Sequence, residues 1–555
     1  MGENRIVEIN SCIDRIPYAE IITPFDNDGL SLKGKILISF DELEKPLEFE
    51  VIIGPQYPFK SYDSESIKFM NNNLLEYNHV MGDGTICIHT SHSINLKNKI
   101  HIDFLSLKNW VIRYYINKDN DTHYEHLIVP DLPIDDSYYS FIFTDVSHEF
   151  KKGDYGLLKL SQINDGKLNE KLVSNFITQA FADQYGKEIA TCNWSSNYKN
   201  YNKTSQGIFI FVEDSPSTYN RFLFQDWNQF DEQFTQDFLD FLHSTEKMFI
   251  TKKLRDKLLP LFIGYKISES EIHWQVAMLK IGDFPIYGMN NGKVWQTALK
   301  EGIINWTKTR NSSYHYFFGR GTFCPKLAGK RILVIGVGAI GSCVARTLVK
   351  GGIKQIDLAD YDIKEPENVS RSEYHFFTGI TEKVHELGDG LSLLSPFVEV
   401  GHVNQKYFEF ISKVLYKEPE AKKEFETFLN SYDLIFDCTT DNDLMYVLDS
   451  LTLKTDLINL SITNHAKDLV CSFSPNIYRF VTTQYSNILD NDIEDLYNPT
   501  GCWSPTFKAS YNDIAVLIQY ALKQINLTYE KGNSKNSFVL KTNSENGFEI
   551  KLEQY

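Results

Sequence analysis

Apolar residues recur with two different periods in the first 60 residues, and the change of period predicts a helix followed by strands. Helical spacing of isoleucines marks Arg5–Ile16. The stretches that alternate between apolar and polar residues are Ala19–Ile22, Leu32–Phe40 and Leu47–Ile53. A helix before an antiparallel meander is the plan of an α+β domain.

A different pattern, of short apolar runs around a glycine turn, begins at residue 331. The run at Ile332–Ile335 predicts a buried strand, helical spacing at Ser342–Lys350 predicts a helix, and Gln355–Leu358 predicts a second strand. The turn between the first strand and the helix has the spacing GxGxxG and consists of Gly336, Gly338 and Gly341. This order predicts a Rossmann-like α/β domain.

The glycine turn also predicts a nucleotide site. Glycines let the backbone approach a phosphate, and the start of a helix offers free N–H groups and the positive end of its dipole. Asp360 follows Gly341 by 19 residues, at the place where a carboxylate can bind a ribose hydroxyl. The alternative is a tight turn with a purely structural role.

Charged and amide side chains after the second strand indicate which nucleotide binds. They are Asp362, Asn368, Arg371 and Lys383. A nicotinamide enzyme needs no such cluster, whereas the cluster suits an ATP triphosphate whose α-phosphate is attacked. With these residues the chain resembles the adenylating ThiF family, which includes ubiquitin-activating enzymes and the bacterial enzymes that activate sulfur carriers. The resemblance implies that the cluster surrounds ATP and Mg²⁺.

A second acidic motif fits the same resemblance. Asp433–Cys438 reads as a buried strand and runs into Thr439-Thr440-Asp441-Asn442, which resembles the T-D-N end of a strand in that family. The resemblance implies that Asp441 lies near the phosphates and holds the metal ion. An N-cap of the next helix is the alternative role of Asp441, and both roles can hold together.

The N-terminal segment resembles another family. A proline-punctuated Gly54–Phe59 is followed at residues 78–90 by NHVMGDGTICIHT, with Cys87 just after a Gly-Asp-Gly turn. Helix, meander, YPF and this turn resemble ubiquitin-conjugating enzymes, which implies that Cys87 carries a protein as a thioester. The His-Pro-Asn motif of that family is absent. His79 or Asn78 can donate the hydrogen bond that would stabilise the oxyanion. The alternative for Cys87 is a small buried hydrophobe.

A second candidate nucleophile is Cys502. Residues 498–513 (NPTGCWSPTFKASYND) place it between Gly501 and Trp503 in a proline-bounded loop, an unusual setting for a buried structural cysteine. The segment resembles the loop of activating enzymes that carries the thioester cysteine. The alternative for Cys502 is a cysteine without a role in the chemistry.

Composition limits the possible partners and compartments. The net charge of −17 disfavours nucleic acid and anionic membrane as main partners. Eight cysteines are scattered without any CxxC pair, and no apolar run reaches the length of a membrane span. We therefore expect a cytoplasmic protein with reduced thiols.

These patterns predict a multidomain chain with both α+β and α/β parts. Its expected domains are a ubiquitin-conjugating-like α+β domain at 1–130, a connecting α+β domain at 131–320 and a Rossmann-like, ThiF-type adenylation domain at 321–555. The two resemblances together imply a bacterial fusion of activating and conjugating enzymes. Such fusions occur in CBASS antiphage operons.

The resemblance also implies the reaction and its partners. ATP and Mg²⁺ would activate the C-terminal carboxylate of a protein, in CBASS a cGAS-like nucleotidyltransferase. The acyl group would pass from Cys502 to Cys87 and then to an acceptor protein or small amine, and the enzyme would be a homodimer. Two alternatives stay open: an adenylating enzyme for a sulfur-carrier protein, and a non-catalytic scaffold that senses nucleotides.

Overall fold

The structure is a computed structural model. It describes residues 3–62, 64–119, 127, 132–199, 201, 203–219, 221–269, 271–290, 295–403, 408, 416–489, 496–497, 505–506, 509–545 and 547–555. The chain forms two compact units. The first contains Met1–Leu132, Lys151–Asp154 and Ile210–Thr307, and the second contains Pro133–Phe150, Tyr155–Phe209 and Lys308–Tyr555. The three-domain division near residues 130 and 320 stays a prediction.

The first unit begins with the predicted helix and meander. The helix is Glu3–Ile13, and the strands are Ala19–Asp28, Ser31–Ile38, Leu47–Ile53 and Ile67–Met70. Each strand pairs antiparallel with the next, which confirms the meander. The fourth strand was not predicted, because four residues are too few for an alternating pattern to stand out. Three helical segments complete this part: Asn72–Leu74, Leu96–Trp110 and Val111–Ile116.

Alternation along these strands builds one core. In Leu47–Ile53 every second residue is fully or nearly buried, and the residues between them are more exposed. The buried side chains of the strands pack with those of the two long helices, including Ile9, Ile13, Phe104 and Leu107. One face of the sheet is therefore covered by helix, as an α+β plan requires.

The rest of the first unit lies in Ile210–Thr307. Its strands are Ser217–Thr218, Phe222–Leu223, Leu258–Lys266, Ile272–Lys280, Ile286–Asn290 and Trp295–Leu299, and its helices are Trp227–Phe230 and Gln236–Thr251. Leu258–Lys266 and Ile272–Lys280 form a long antiparallel hairpin. Two strands, Thr204–Glu213 and Trp306–Asn311, have residues in both units.

The second unit contains two groups of strands. The first group is Tyr138–Phe143, Tyr155–Gln162, Gly166–Leu168, Lys171–Asp183 and Glu188–Thr191, with a helical turn at Ser196–Lys199. The long strand Lys171–Asp183 pairs parallel with Tyr138–Phe143 and antiparallel with the other three.

The second group forms an eight-stranded sheet. Its spatial order is Glu399–His402, Gln355–Ala359, Arg331–Ile335, Leu434–Asp437, Asp456–Thr463, Asp468–Phe473, Phe538–Asn543 and Glu549–Gln554. The first five strands are parallel and the last three are antiparallel additions. The short strands Ile363–Lys364 and Thr381–Glu382 form a separate pair, as do Leu496–Tyr497 and Pro505–Thr506.

Helices accompany this sheet. They are Tyr314–Phe317, Pro325–Ala328, Ala339–Lys350, Pro366–Arg371, Phe376–Thr378, Lys383–Leu394, Pro419–Leu429, Asn442–Asp449, Asn464–Ala466, Ile477–Ile488 and Tyr511–Lys531. Successive strand residues enter different cores: Ile332 and Val334 join one, and Leu333 and Ile335 join the other. Both faces of the strand are buried, which explains its continuous apolar run. The Rossmann-like prediction is confirmed for this part of the chain.

A buried ion cluster stabilises the N-terminal part of the first unit. The Lys99 ammonium lies 2.7 Å from a Glu65 oxygen and 2.6 Å from an Asp103 oxygen, and the three side chains are 1%, 4% and 0% exposed. Thr90 and Tyr57 donate hydrogen bonds to the two Asp103 oxygens. The cluster therefore links the segment after Cys87 to the helix Leu96–Trp110.

We predict that Lys99→Met lowers the free energy of unfolding of this unit by about 3–5 kcal/mol, because two buried carboxylates lose their shared cation. Urea unfolding, monitored by the hydrogen exchange of N-terminal peptides, measures this change. Lys33→Met is the control, because the Lys33–Glu50 pair is largely exposed and its loss should change little. Equal urea midpoints for both variants would show that the cluster does not stabilise the unit.

Candidate functional site

The glycine turn adopts a backbone that other residues disfavour. Gly336 has a φ of +77°, and a Cβ there would lie 2.9 Å from the backbone of Thr439. A Cβ on Gly341 would lie 1.9 Å from the carbonyl oxygen of Gly336. These two glycines therefore allow the helix Ala339–Lys350, which begins three residues earlier than predicted, to start directly against the strand end.

Gly338 has the opposite surroundings. A Cβ on it would meet no protein atom within 4 Å, and the residue borders a cavity of about 310 Å³. Every residue that the sequence predicted for nucleotide binding lines this cavity except Gly341. Those that do are Gly336, Gly338, Asp360, Asp362, Asn368, Arg371, Lys383 and Asp441. The structure thus brings together residues that lie more than 100 positions apart in the sequence.

Asp360 fastens the glycine turn to the end of the second strand. Its Oδ2 accepts the Val337 N–H at 2.7 Å, and its Oδ1 accepts the Asp362 N–H at 2.9 Å. Burial raises the pKa of Asp360, and the backbone N–H groups and the Lys383 ammonium oppose that rise. The ribose role predicted for Asp360 stays a prediction.

Lys383 and Asp362 form an ion pair at the cavity wall. The Lys383 side chain is 10% exposed and the Asp362 side chain is 55% exposed. Lys383 also donates its backbone N–H to the Asp362 carbonyl at 3.2 Å. The ammonium is therefore held at the start of the helix Lys383–Leu394, with its charge beside the cavity.

A short helix, Pro366–Arg371, carries Asn368 and Arg371. Asn368 accepts the Glu365 N–H at 2.9 Å through its side-chain oxygen, as part of a capping box. The segment is flanked by a buried pair, Lys364 and Glu386, whose charged atoms lie 2.6 Å apart. Burial alone would raise the pKa of Glu386, but bonds from Lys364, the His375 backbone and a threonine hydroxyl lower it.

Asp441 is the N-cap of the helix Asn442–Asp449. Its Oδ1 accepts the N–H groups of Asp443 and Leu444 at 2.9 and 3.1 Å. The predicted cap role is therefore confirmed. Just before it, the buried Asp437 accepts the N–H and hydroxyl of Thr439, which fixes the strand end against the glycine turn.

The carboxylates of this cavity suit a hard cation. Mg²⁺ prefers oxygen ligands and commonly binds one or two carboxylates together with substrate phosphates. Asp362 and Asp441 both border the cavity. Within the part of the chain that the structure describes, no group of three or more His, Cys, Asp or Glu side chains is arranged to hold a metal ion. The residues thus fit a metal ion that arrives with a phosphate ligand, and do not form a complete protein cage.

Several cavity residues escaped the sequence analysis. Phe408, Leu444 and Ile462 give the cavity an apolar side, and Tyr374 donates its hydroxyl to the Val337 carbonyl. These apolar residues were missed because they belong to no motif. Only a ligand packed against them would show that they contribute to the cavity. The tyrosine follows Arg371 by three positions but belongs to no pattern that spacing reveals.

The predicted nucleophile Cys87 borders a second cavity, of about 460 Å³, in the first unit. Its backbone N–H donates to the His79 carbonyl at 2.7 Å. The His79 ring packs on Tyr114, with centroids 4.6 Å apart, and Asn78 donates its side-chain amide to the Asp119 carbonyl at 3.3 Å. The oxyanion role of His79 or Asn78 stays a prediction.

Arg221 is a part of this second site that the sequence analysis missed. Its guanidinium donates to the carbonyls of Leu75, Tyr77 and Val80. The residue lies between the short strands Ser217–Thr218 and Phe222–Leu223, and Phe222 lies against Gly82. The hairpin therefore holds the segment whose His79 carbonyl receives the Cys87 N–H.

Further cysteines are the second predicted nucleophile and four cysteines of the Rossmann-like part of the chain. Cys502 lies outside the described residues, so its role stays a prediction. Cys324, Cys343, Cys438 and Cys471 are buried, as expected for core thiols. Burial raises the pKa of the Cys343 thiol to about 11, which makes it a poor nucleophile near neutral pH.

Fold and site define a Rossmann-like α/β domain whose glycine turn borders a cavity lined by acidic and basic side chains. Comparison with known proteins adds the family: residues 312–472 match the model of the ThiF family. The chain therefore contains a ThiF-family domain, and the predicted resemblance is confirmed.

The match to one relative is longer than that domain, and the match to another is shorter. The chain is 23% identical over 366 residues to the ATP-dependent ubiquitin transferase-like protein Cap2 of Enterobacter hormaechei subsp. hoffmannii, covering 60% of this chain and 58% of Cap2. It is 24% identical over 114 residues to the molybdopterin-synthase adenylyltransferase of Escherichia coli, covering 20% of this chain and 41% of that enzyme. The chain thus spans less than two thirds of either relative.

Among solved structures, the chain is similar to E. coli MccB with ATP, at 15% identity and a TM-score of 0.29, covering 41% of this chain and 64% of that one. It is similar to PaaA at 15% identity and a TM-score of 0.30, covering 41% of this chain and 65% of that one.

Across the described residues, none of the helices combines the length and the apolar character that a membrane span needs.

We predict that Arg221→Ala loosens the segment that holds Cys87. Loss of hydrogen bonds from a charged donor to three carbonyls should speed amide exchange in residues 75–88 about tenfold, equal to about 1.4 kcal/mol of local stability. Hydrogen exchange with mass spectrometry measures this rate. Arg221→Lys should have an intermediate effect, because an ammonium cannot reproduce the planar fork.

Lys68→Ala is the matched control, since Lys68 lines the same cavity without donating to those carbonyls. Equal exchange rates in wild type, Lys68→Ala and Arg221→Ala would show that the hairpin does not hold the segment.

Proposed function

We propose that the protein uses ATP to activate the C-terminal carboxylate of a partner protein and passes the acyl group through Cys502 and Cys87 to an acceptor amine. The observation that carries this proposal is the single cavity beside the glycine turn. Eight residues expected around ATP border it, although they come from distant parts of the sequence. A dehydrogenase would have no use for the lysine, arginine and second acid there.

The proposed roles follow from where the side chains lie. The ATP phosphates bind at Gly338 and the start of the following helix, because the first N–H groups of a helix have no partner within the helix. Asp360 accepts a ribose hydroxyl in addition to its two backbone bonds, because a carboxylate has about four acceptor positions. The apolar side formed by Phe408 and Leu444 suits the adenine base.

Arg371 and Lys383 supply positive charge where the partner's carboxylate attacks the α-phosphorus of ATP. Such charge stabilises the transition state in a site that excludes water. Asp362 orients the Lys383 ammonium until the phosphates bind. Mg²⁺, held by Asp441 with Asp362 near it, would neutralise phosphate charge and so prevent repulsion between ATP and the acids.

The acyl group moves in successive steps, and in each step one bond forms and one bond breaks. The carboxylate oxygen bonds to the α-phosphorus and pyrophosphate leaves. The Cys502 thiolate then bonds to the acyl carbon and AMP leaves. Cys87 takes the acyl group from Cys502 by thioester exchange, and an amine displaces Cys87. His79 or Asn78 would donate to the thioester oxyanion in these last steps.

The similarity to a ubiquitin transferase-like protein supports a role in conjugation, since it extends over 60% of this chain and beyond the ThiF domain. The helix-and-meander plan of the first unit supports a conjugating part around Cys87. The proposals of CBASS antiphage defence, a cGAS-like nucleotidyltransferase as carrier and a homodimer rest on family resemblance. The proposed cytoplasmic location rests on the composition and the scattered cysteines.

We predict that Asp441→Asn separates the two roles of Asp441. Asparagine caps a helix as well as aspartate but carries no charge. Asp441→Asn should therefore keep the thermal stability while reducing ATP–pyrophosphate exchange about 100-fold, as removal of one charge contact at a transition state does. Asp441→Ala should lose the activity and also about 1 kcal/mol of stability. Full exchange activity in Asp441→Asn would reduce Asp441 to a helix cap.

We predict an order for the two thioesters. With ATP and the carrier protein, Cys502→Ala should form no thioester, and Cys87→Ala should accumulate one on Cys502. Non-reducing gels, repeated after thiol treatment, measure both adducts. A Cys87 thioester in the Cys502→Ala protein would contradict the order, and unchanged product from Cys87→Ala would contradict the role of Cys87.

A simpler adenylating enzyme for a sulfur-carrier protein is the second candidate. The similarity to molybdopterin-synthase adenylyltransferase favours it, but that similarity covers only 20% of this chain and leaves the Cys87 unit without a task. The Cys87→Ala result above distinguishes the two candidates, because the second needs no thiol in the first unit.

A further inference from the structure

His89 lies beside the reacting sulfur of Cys87. Their Sγ and Nε2 atoms are 3.7 Å apart, within hydrogen-bonding distance for sulfur, and both side chains border the cavity of about 460 Å³. Neither the GDG turn nor the YPF segment pointed to this histidine.

The alternation of an extended backbone explains why the two side chains meet. Ile86 forms an isolated antiparallel bridge to Val80 and donates its N–H to the Phe69 carbonyl, so two neighbouring segments hold the backbone there. Ile86 and Ile88 point into the core, with 2% and 8% of their surface exposed. Cys87 and His89 therefore face the opposite side together.

Both ends of this segment are fastened. Before the pair, the Cys87 N–H is held by the His79 carbonyl. After it, Thr90 bonds to Asp103 through its hydroxyl and to Glu65 through its N–H, at 2.7 and 3.3 Å. The separation of sulfur and imidazole is thus set by the surrounding backbone, although His89 itself is exposed.

We propose that His89 is a catalytic base for Cys87, taking the thiol proton when the sulfur attacks and the amine proton when the acceptor attacks. A thiolate is the nucleophilic form of cysteine, and imidazole is the side chain best suited to move a proton near neutral pH. The pairing stands on the geometry alone, whereas its part in acyl transfer rests on the proposed function.

The proton and the bonds balance in both steps. In the first, the proton of the Cys87 thiol moves to Nε2, the new sulfur–carbon bond forms, and the bond between the acyl carbon and the Cys502 sulfur breaks. His89 then returns its proton to solvent. In the second, the amine nitrogen bonds to the acyl carbon, Cys87 leaves as thiolate, and the amine proton moves to Nε2.

Other charged groups border the cavity, but each bonds to another residue or lies near a group of opposite charge. Glu65 bonds to Lys60 and Lys99, and Arg221 bonds to backbone carbonyls. Burial raises the pKa of Asp83, but the Thr85 N–H and the Lys68 ammonium lower it overall, so Asp83 is an anion beside a cation. The charged groups that line the same cavity as the pair are Glu65, Lys68, Asp83 and Arg221.

The test measures alkylation of Cys87 by iodoacetamide without ATP, from about pH 6 to about pH 9, by mass spectrometry of its peptide. We expect His89→Gln to slow alkylation about tenfold near pH 7 and to move the pH of half-maximal rate up toward about 8.5, the value of a simple thiol. His92→Gln is the control, because His92 is exposed and its ring lies near Phe59. It should follow the wild type.

Imidazole rescue shows whether the missing ring is the cause. Added imidazole should raise the alkylation rate of His89→Ala and leave that of the wild type unchanged. Profiles of His89→Gln that coincide with the wild type, or a His89→Ala rate that imidazole does not raise, would overturn the pairing.

Acyl transfer is then measured with ATP and carrier. If alkylation depends on His89 but no Cys87 thioester forms in the wild type, the pairing stands and the proposed function fails. If the wild type forms the thioester and His89→Gln forms it at the same rate, the proposed function stands and the catalytic role of His89 fails.

Discussion

The carboxylate of Asp360 is the contact on which the cavity beside the glycine turn depends. It accepts one N–H from the glycine turn and one from the residue that starts the acidic segment, so a single side chain joins the ends of two parallel strands. Tyr374 holds the turn through the Val337 carbonyl and Lys383 holds Asp362, but of these three side chains only Asp360 bonds to both segments. The buried charge is unfavourable, as its raised pKa shows, and the two N–H groups offset that penalty.

Both candidate sites use the same construction. Charged side chains at the cavity range from half-exposed Asp362 to buried Lys383, and buried ion pairs fix the backbone nearby. Lys364 with Glu386 flanks the segment of Arg371, and Lys99 with Glu65 and Asp103 lies behind Cys87. Removal of one partner of a buried pair leaves an uncompensated charge, so such pairs strongly penalise any rearrangement that separates them. This suits positions where a reacting group must stay within a fraction of an ångström.

Much of the cavity beside the glycine turn was predictable, because short motifs of neighbouring residues form it. A glycine turn between an apolar run and a helix is specified by neighbouring residues, and the acid at the next strand end follows from the parallel order. The T-D-N end of a later strand meets the same edge for the same reason. The apolar side at Phe408 was not predictable, because packing against a ligand leaves no period in the sequence.

The sequence by itself determined the strand–turn–helix order, the alternation that buries Ile86 and Ile88, and the candidate nucleophiles. Each depends on backbone geometry over a few residues. Only the tertiary structure decided that Arg221 holds the segment 75–80 from far along the chain, and that His89 is the imidazole beside the sulfur. The Arg221 contact depends on how distant segments pack. His89 meets Cys87 because the segment around them is held by bonds to Phe69, Val80 and Asp103, and no local spacing encodes those bonds.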